Sequence, residues 1–379
     1  MKPILSYISM WNAADRNAES GYAFSMRDQL SKRFHVVDLF PLGISEDRLW
    51  APVRAAYKFA GRYYHPMREP VVLKYLASRI ERHVREAKPQ AIFSPSSVPL
   101  SLVDSAAPRI FTTDQLFCDF VQTPYTGIRQ PAERFVRMGH AQEKTALSTA
   151  ALATFPSQWA ADSAVSRYGA AREKISVIPW GANLPSIPSQ QEVERAIAQR
   201  SMRSCHLVFI GRQWARKGGE LLVGTVQELN KAGLPARATI IGCEPPGLSP
   251  KLFDIHPYLN KGRPEHFATL SSLMLGAHFL FLPSRAEAYG QAFCEAAAFG
   301  LPSIGSTVGG IPTIIQDGET GFVRPLETSA AQFAAIILDT LSERSGYLRL
   351  ARQAREDFLL RLNWDSFGNR LSDAIAAVM

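Results

Sequence analysis

The strongest constraint on this chain is a rhythm. Short apolar runs, each ending in Gly, Ser, Pro or a polar residue, are followed by stretches of helical periodicity. Runs of this kind lie at residues 4–9, 35–39, 91–94, 109–113, 151–157 and 175–179, with a second series at 206–211, 238–242, 277–284 and 303–306. Strands that are apolar on both faces belong to parallel sheets, whose crossovers are helices. The alternation therefore predicts an α/β protein with doubly wound sheets. Because the runs fall in two series, and because 379 residues exceed what one core usually serves, two Rossmann-like domains are expected. No solenoid-length repeat recurs.

Between the series, residues 183–189 contain Pro185 and Pro188, and Ser189 with Glu192 then reads as a capping box. A linker leading into a helix is expected there, with domains at 1–180 and 181–361. Hydrophobic residues make up 46% and charged residues 20% of the chain, which excludes a disordered class. The most apolar window, 270–283, is too short to span a bilayer and is broken by Ser271, Ser272, Gly276 and His278. The first twelve residues lack the uninterrupted apolar region of a signal peptide and read as a strand. The four cysteines form no C-x-x-C pair, so a reducing compartment and a cytoplasmic protein are expected, with Cys294 a small buried hydrophobe.

The net charge of +8 is uneven. Between Arg48 and Lys88 stand ten basic residues against Glu69, Glu81 and Glu86, interleaved with Trp50, Tyr57, Phe59, Tyr63 and Tyr64. Two readings stay open: a solvated helical face with a buried stripe, or a segment lying peripherally on an anionic membrane with its rings at the headgroups. No zinc-finger, basic-region or aromatic RNA-binding pattern accompanies the charge, so no nucleic-acid partner is expected.

In doubly wound sheets ligands bind at the carboxyl ends of strands. Three such places carry chemistry. At Gly211 a strand delivers Arg212 and Lys217 into one loop before a helix, two cations beside backbone N–H groups that suit a diphosphate. At residues 284–300, Glu287 follows a strand and Glu295 lies eight positions on in a helix. Eight helical residues span about 12 Å, too far for the carboxyl pair of a glycoside hydrolase but suited to hydroxyl groups at two ends of an extended ligand. The flanking Phe293, Cys294 and Ala296 imply that Glu295 has a partner. At Gly309-Gly310-Ile311-Pro312, paired glycines let backbone approach a ligand. There is no P-loop, His-Glu-x-x-His or Asp-x-Asp pattern, so neither a metal nor a cofactor is expected, and the eight histidines read as structural or surface residues.

In this order, these segments resemble the retaining glycosyltransferases of family 4, with the GT-B architecture of two Rossmann-like domains facing a cleft. The resemblance rests on Ser157-Gln-Trp-Ala160, Ile178-Pro-Trp-Gly-Ala-Asn183, Gly211-Arg212 with Lys217-Gly218, Ile241-Gly242, Glu287-x7-Glu295, Gly309-Gly-Ile-Pro312 and Asp317-Gly-Glu-Thr-Gly-Phe322. It implies a nucleotide-sugar donor, UDP- or GDP-linked, and a cell-surface glycan or lipid-linked acceptor. By position, Arg212 and Lys217 would hold the diphosphate, Glu287 the donor sugar and Glu295 the ribose. Gly211, Tyr289, Gly290, Gln291 and Ala292 would surround sugar and diphosphate, and Tyr258 and Leu259 would receive the base. The resemblance further implies attack on the same face of the sugar, the leaving phosphate taking the acceptor's proton.

Three positions depart from the family pattern. Where many members carry a histidine, this chain has Thr113-Asp114, so that Asp114 would orient a hydroxyl. Thr313 stands where many have Glu, and the glycine-rich acceptor-side loop is reduced to Ser20-Gly21-Tyr22. The last helix, within 362–379, would pack back on the first domain, and the two domains would close over the donor. Alternatives left open are another GT-B enzyme, such as a sugar-nucleotide epimerase or a phosphorylase, and a non-enzymatic membrane-surface or nucleic-acid binding protein.

Overall fold

The computed structural model of the chain describes residues 2–16, 21–42, 46–123 and 127–379. Ser20 lies outside the described residues, as does the side chain of Arg48. The chain divides into two units, Met1–Trp180 with Phe367–Met379, and Gly181–Ser366. The return to the first unit thus begins at Phe367 rather than at 362.

The first unit is built on strands β1 (Ile4–Ile8), β2 (His35–Leu39), β3 (Ala91–Ser94), β4 (Arg109–Thr112), β5 (Leu152–Phe155) and β6 (Ile175–Val177), in the order β2-β1-β3-β4-β5-β6. Every pairing is parallel, and β1, β3, β4 and β5 are almost wholly buried, as their unbroken apolar sequences require. The crossovers are α1 (Tyr22–Arg33), α2 (Glu46–Phe59), α3 (Pro70–Ala87), α4 (Phe117–Gln122), α5 (Glu133–Thr149) and α6 (Gln158–Tyr168). Helix α6 has its ends written in sequence: Ser157 Oγ accepts the Ala160 N–H at 3.3 Å, and Gly169 closes it at φ 66°.

The second unit repeats the plan with β7 (Cys205–Ile210), β8 (Ala236–Ile241), β9 (Phe253–His256), β10 (Phe279–Leu282), β11 (Ser303–Ser306) and β12 (Gly321–Arg324), ordered β12-β11-β10-β7-β8-β9 and again parallel. Its helices are α7 (Gln190–Gln199), α8 (Gly219–Lys231), α9 (Pro264–Gly276), α10 (Gln291–Ala298), the short α11 (Ile311–Ile314), α12 (Ala330–Ser342) and α13 (Arg344–Arg361). Helix α7 opens with the expected capping box, Ser189 with Glu192. Two strands had not been predicted, β9 and β12, and both are sheet edges. An edge strand has one neighbour and tolerates polar residues such as Asp254, so it lacks the unbroken apolar signature.

The last helix, α14 (Trp364–Ala376), buries Phe367, Leu371 and Ile375. A Cβ on Gly368 would come 2.7 Å from Cβ of Gln29 on α1, so the close approach needs glycine there. Among the described residues no helix is long and apolar enough to cross a membrane.

The basic stretch divides its residues among several environments. Tyr64 is buried and donates to Glu69 Oε1 at 2.7 Å, while Trp50, Tyr57 and Tyr63 pack around Tyr64, Phe117 and Phe135. Most of its aromatic rings are therefore core residues; Phe59, at 97% exposure, stands free. Glu69 is itself buried and held by Arg134 at 2.6 and 2.8 Å.

Two buried histidines tie β7 to its surroundings. The His206 N–H donates to His278 Nδ1 at 2.9 Å, His206 Nε2 meets Thr239 Oγ1 at 2.8 Å, and His278 Nε2 meets Ser201 O at 2.7 Å. Burial depresses both rings from 6.5 to about 4. A base whose folded pKa is depressed favours the fold while neutral. Its contribution is complete above about 6.5 and is lost as pH falls toward 4. The unfolding temperature should fall by roughly 5–10 °C between pH 7 and 4.5. His206→Gln should flatten that fall in thermal scans, and parallel curves for the two proteins would remove the histidines as its cause.

Candidate functional site

In the second unit the chain winds outward from β7 through β8 to β9, then α9 carries it back to β10 on the other side of β7. The reversal of strand order thus falls between β7 and β10, and in doubly wound sheets ligands bind at the carboxyl ends of the strands at such a place. The loop after β7 is shaped by glycine. Gly218 adopts φ 81°, and a Cβ there would fall 2.4 Å from the Pro283 carbonyl oxygen, so the loop crosses the end of β10 at backbone contact distance. A Cβ on Gly211 would meet Lys217 Cγ at 2.8 Å.

This approach joins the two predicted groups. Lys217 Nζ forms an ion pair with Glu287 Oε2, and Arg216 Nη1 donates to Ala286 O at 2.9 Å and reaches Glu287 Oε2 at 3.4 Å. Lys217 is buried; desolvation pulls its pKa down while Glu287 pulls it back up. The expectation of two cations together in the loop therefore needs correction. Lys217 is committed to Glu287 with Arg216 as its companion, whereas Arg212 is exposed and has no side-chain hydrogen bond or ion pair among the described residues.

Glu295 is the second buried acid, at 6% exposure, and Lys261 Nζ pairs with it at 2.5 Å. The same ammonium donates to Asn183 O at 2.8 Å. Asn183 Nδ2 donates to Gln291 Oε1 at 3.0 Å, and its Oδ1 accepts Trp364 Nε1 at 2.8 Å. Helix α10 starts only at Gln291, after Gly290 at φ 99°, so Glu287 lies on the preceding loop and the helical spacing of about 12 Å does not apply to the pair. Gly290 brings no side chain to cap α10, and the first N–H groups of a helix form an anion-seeking end.

Around these pairs, Tyr289 is buried and its hydroxyl accepts from Cys294 Sγ at 3.5 Å, while Ala292 is half-buried. Burial pushes the Cys294 thiol up to about 12, which suits a packing residue. Gly309, at φ 53°, lies against Glu287: a Cβ there would stand 1.7 Å from the Glu287 carbonyl oxygen. The Gly310 N–H donates to Ala288 O at 2.9 Å. Beyond β9, Tyr258 is 57% exposed and Leu259 half-buried, and Asn260 Oδ1 accepts the Gly262 N–H at 2.9 Å.

In the first unit, Gly21 caps α1 at φ 82°, and Tyr22 stacks on Trp180 with ring centroids 5.0 Å apart. Tyr22 and Asp114 both line a cavity of about 520 Å³. Ser20, the third acceptor-side residue expected, lies outside the described residues.

Residues 204–343 match the family model described as glycosyl transferases group 1, and residues 21–185 match that described as glycosyltransferase family 4. The chain belongs to glycosyltransferase family 4. A D-inositol 3-phosphate glycosyltransferase of Paenarthrobacter aurescens is 31% identical over 176 residues, 43% of this chain and 42% of that protein. The chain spans about half the length of the curated relatives it matches. The fold is that of sucrose-phosphate synthase from Thermosynechococcus elongatus (TM-score 0.67, 16% identity, covering 100% of this chain and 99% of that one). It is also that of Anabaena HepE in complex with UDP (TM-score 0.64, 14% identity, 100% of both chains). These are two-Rossmann, GT-B folds.

Within this family frame, sequence reasoning missed Lys261, Arg216 and the bridging role of Asn183. The need of Glu295 for a partner was legible, and Lys261 stands one residue beyond the Tyr258-Leu259-Asn260 turn. The missing signal was strand β9, whose carboxyl end brings that turn into reach. The pairs predict separable effects in urea unfolding. Lys217→Met should destabilise by about 1–3 kcal/mol, because Glu287 keeps only the longer Arg216 contact. Arg212→Ala should stay within about 0.5 kcal/mol of wild type. Equal losses would refute the distinction between a paired and a free cation.

Proposed function

We propose that this chain is a retaining, metal-independent glycosyltransferase that moves a sugar from a nucleoside-diphosphate donor to a glycan or lipid-linked acceptor. The observation that carries this reading is the pair of acids at the strand ends of the second unit, Glu287 held by Lys217 and Glu295 by Lys261, with Arg212 exposed on the loop that carries Lys217. Glu295 would take the ribose hydroxyls and Glu287 the hydroxyls of the donor sugar. Each acid is paired with a lysine, and a carboxylate is an acceptor for paired hydroxyls. Tyr258 and Leu259 would flank the base.

Breaking the anomeric C–O bond sends the electron pair and negative charge to the leaving diphosphate. Arg212, with Lys217 and Arg216 of the same loop, and the N–H groups at the start of α10 would receive that charge. The acceptor oxygen attacks from the same face, its proton passes to the leaving phosphate, and Asp114 orients a hydroxyl. No metal is needed to balance these steps. Anabaena HepE is seen with UDP and with UDP-glucose, which makes uridine the first nucleotide to try.

The test is thermal stabilisation by UDP, GDP, ADP and dTDP and their sugars in the presence of a chelator. One nucleotide should raise the melting temperature, and Glu295→Ala should abolish the shift. Arg212→Ala should lower transfer by roughly 100-fold, and Glu287→Ala should lower transfer while sparing nucleotide binding. Donor turnover without acceptor would favour an epimerase, and no shift with any nucleotide would defeat the reading.

The lipid-linked acceptor also gives the basic stretch a role. Phe59 at 97%, Val71 at 61% and Tyr75 at 50% exposure stand among the exposed Lys58, Arg62, Lys74 and Arg82, the pairing of apolar and cationic groups that an anionic lipid surface binds. We assign this surface to peripheral attachment at the cytoplasmic face of the membrane. Lys58→Glu with Arg62→Glu should at least halve co-sedimentation with phosphatidylglycerol vesicles and leave the nucleotide shift intact. Unchanged sedimentation would return the stretch to an ordinary solvated surface.

A further inference from the structure

The cavity of about 520 Å³ in the first unit lies at the other reversal of strand order. Its lining comes from the chain just beyond β1, β3 and β4, and from Arg54, His65 and Arg68 of the basic stretch. Among these, Arg68 is unusual. Its Nε donates to Gln142 Oε1 at 2.9 Å, and its guanidinium lies over the rings of Phe117 and Phe120 at 4.8 and 5.9 Å. Among the described residues, neither terminal nitrogen has a hydrogen bond or an ion pair.

The buried Arg200 and Arg355 and the half-buried Arg361 of the second unit are satisfied differently. Arg200 donates through its terminal nitrogens to Gly300 O and Phe299 O, Arg355 to Ala298 O and Pro188 O, and Arg361 to Thr313 O, Ile314 O and Asp357. Those side chains brace the fold. Arg68 is half-buried and presents an unused fork at a cavity. The nearest acid that pulls on it, Glu143, is buried, and burial raises its pKa while its Oε2 accepts the Phe117 N–H at 3.2 Å. A guanidinium set among aromatic rings without a carboxylate partner is a receptor for an external anion, and its planar fork fits phosphate.

The rest of the lining defines what the anion is attached to. Trp11, Tyr22 and Trp180 form an aromatic group, Tyr22 stacked on Trp180 at 5.0 Å and Trp11 edge-on to Tyr22 at 6.2 Å. Flat rings of this kind pack against the C–H face of a pyranose or cyclitol. The volume lies in the usual range for a small-molecule site.

We infer that this cavity takes a phosphorylated sugar or polyol as the acceptor, its ring on the Trp11–Tyr22–Trp180 group and its phosphate on Arg68, with Arg54 adding positive charge. The inference rests on the transferase reading for the word acceptor; the phosphate site stands on the cavity. Arg54 is accordingly a cavity residue, which is why the membrane test above leaves it untouched.

The experiment measures stabilisation and transfer with glucose 1-phosphate, glucose 6-phosphate, inositol 1-phosphate and the unphosphorylated parents, and with vesicles containing phosphatidylinositol. Wild type, Arg68→Met and Arg68→Lys are compared. At least one phosphorylated probe should bind tenfold or more tighter than its parent. Arg68→Met should remove that preference and raise KM with little change in kcat, and Arg68→Lys should restore part of it. An Arg68-dependent response to vesicles alone assigns the phosphate to a lipid headgroup, and a response to the free esters assigns it to a soluble acceptor. A nucleotide shift retained in Arg68→Met shows that the variant is folded. Equal binding of phosphorylated and parent compounds, or a preference untouched in Arg68→Met, would overturn the site while leaving the transferase reading standing. Phosphate-selective binding in a protein that no nucleotide stabilises would leave the site and remove the transferase.

Discussion

A parallel sheet wound on both faces must reverse direction once, and this reversal sets what the rest of each unit can do. In the second unit it falls between β7 and β10, in the first between β1 and β3. At such a place neighbouring strands send their loops to opposite faces, so backbone is missing where every other strand end is covered. The glycines around the second reversal follow from this. Gly218 must pass the end of β10 and Gly309 must lie on the Glu287 carbonyl. A side chain at either position would push the two loops apart and separate Lys217 from Glu287.

That ion pair costs desolvation on both sides, and a well-packed apolar pair would serve stability as well or better. Its retention at the strand ends is more readily understood through ligand chemistry. Lys217 and Arg216 both meet Oε2 of Glu287, so one oxygen is committed and the other keeps lone pairs for a ligand. Glu295 follows the same logic with Lys261, and Lys261 in turn is anchored on the Asn183 carbonyl. Asn183 and Gln291 connect that pair to the start of α10. The two acids are thus held from different strands, β7 for one and β9 for the other.

Ten of the twelve described strands were legible, the central ones because they must be apolar on both faces and the edge strands β2 and β6 because each still holds a short apolar run. The edges β9 and β12 were not, since one open side admits residues such as Asp254 and Arg324. The capping box at Ser189 was legible because it is a local interaction between residues three apart. Arg212, Lys217, Glu287 and Glu295 could be named from order and spacing. Which cation would be neutralised and which left free could not, because that depends on Gly218 bringing the loop after β7 against β10. Lys261 was hidden for a similar reason: its place beside Glu295 depends on an edge strand.

The basic stretch shows why net charge along a sequence is a poor guide to surface charge. Its +7 reads as one patch. Folded, the buried Glu69 pairs with the exposed Arg134, Arg54 and Arg68 face a cavity, and Lys58, Arg62, Lys74 and Arg82 remain exposed. The aromatic rings divide likewise, with Tyr64 buried and Phe59 in solvent. The division arises because the stretch is spread over several elements, α2, the turn before Pro66, the short turn at Pro66–Arg68 and α3, each of which meets the first unit differently. One stretch of chain thereby supplies both cations for a cavity and cations for an exposed surface. A ligand with a phosphate and a membrane with anionic headgroups would draw on different members of the same ten basic residues. Substitutions that separate Arg68 from Lys58 and Arg62 therefore separate two proposed roles that composition alone presents as one.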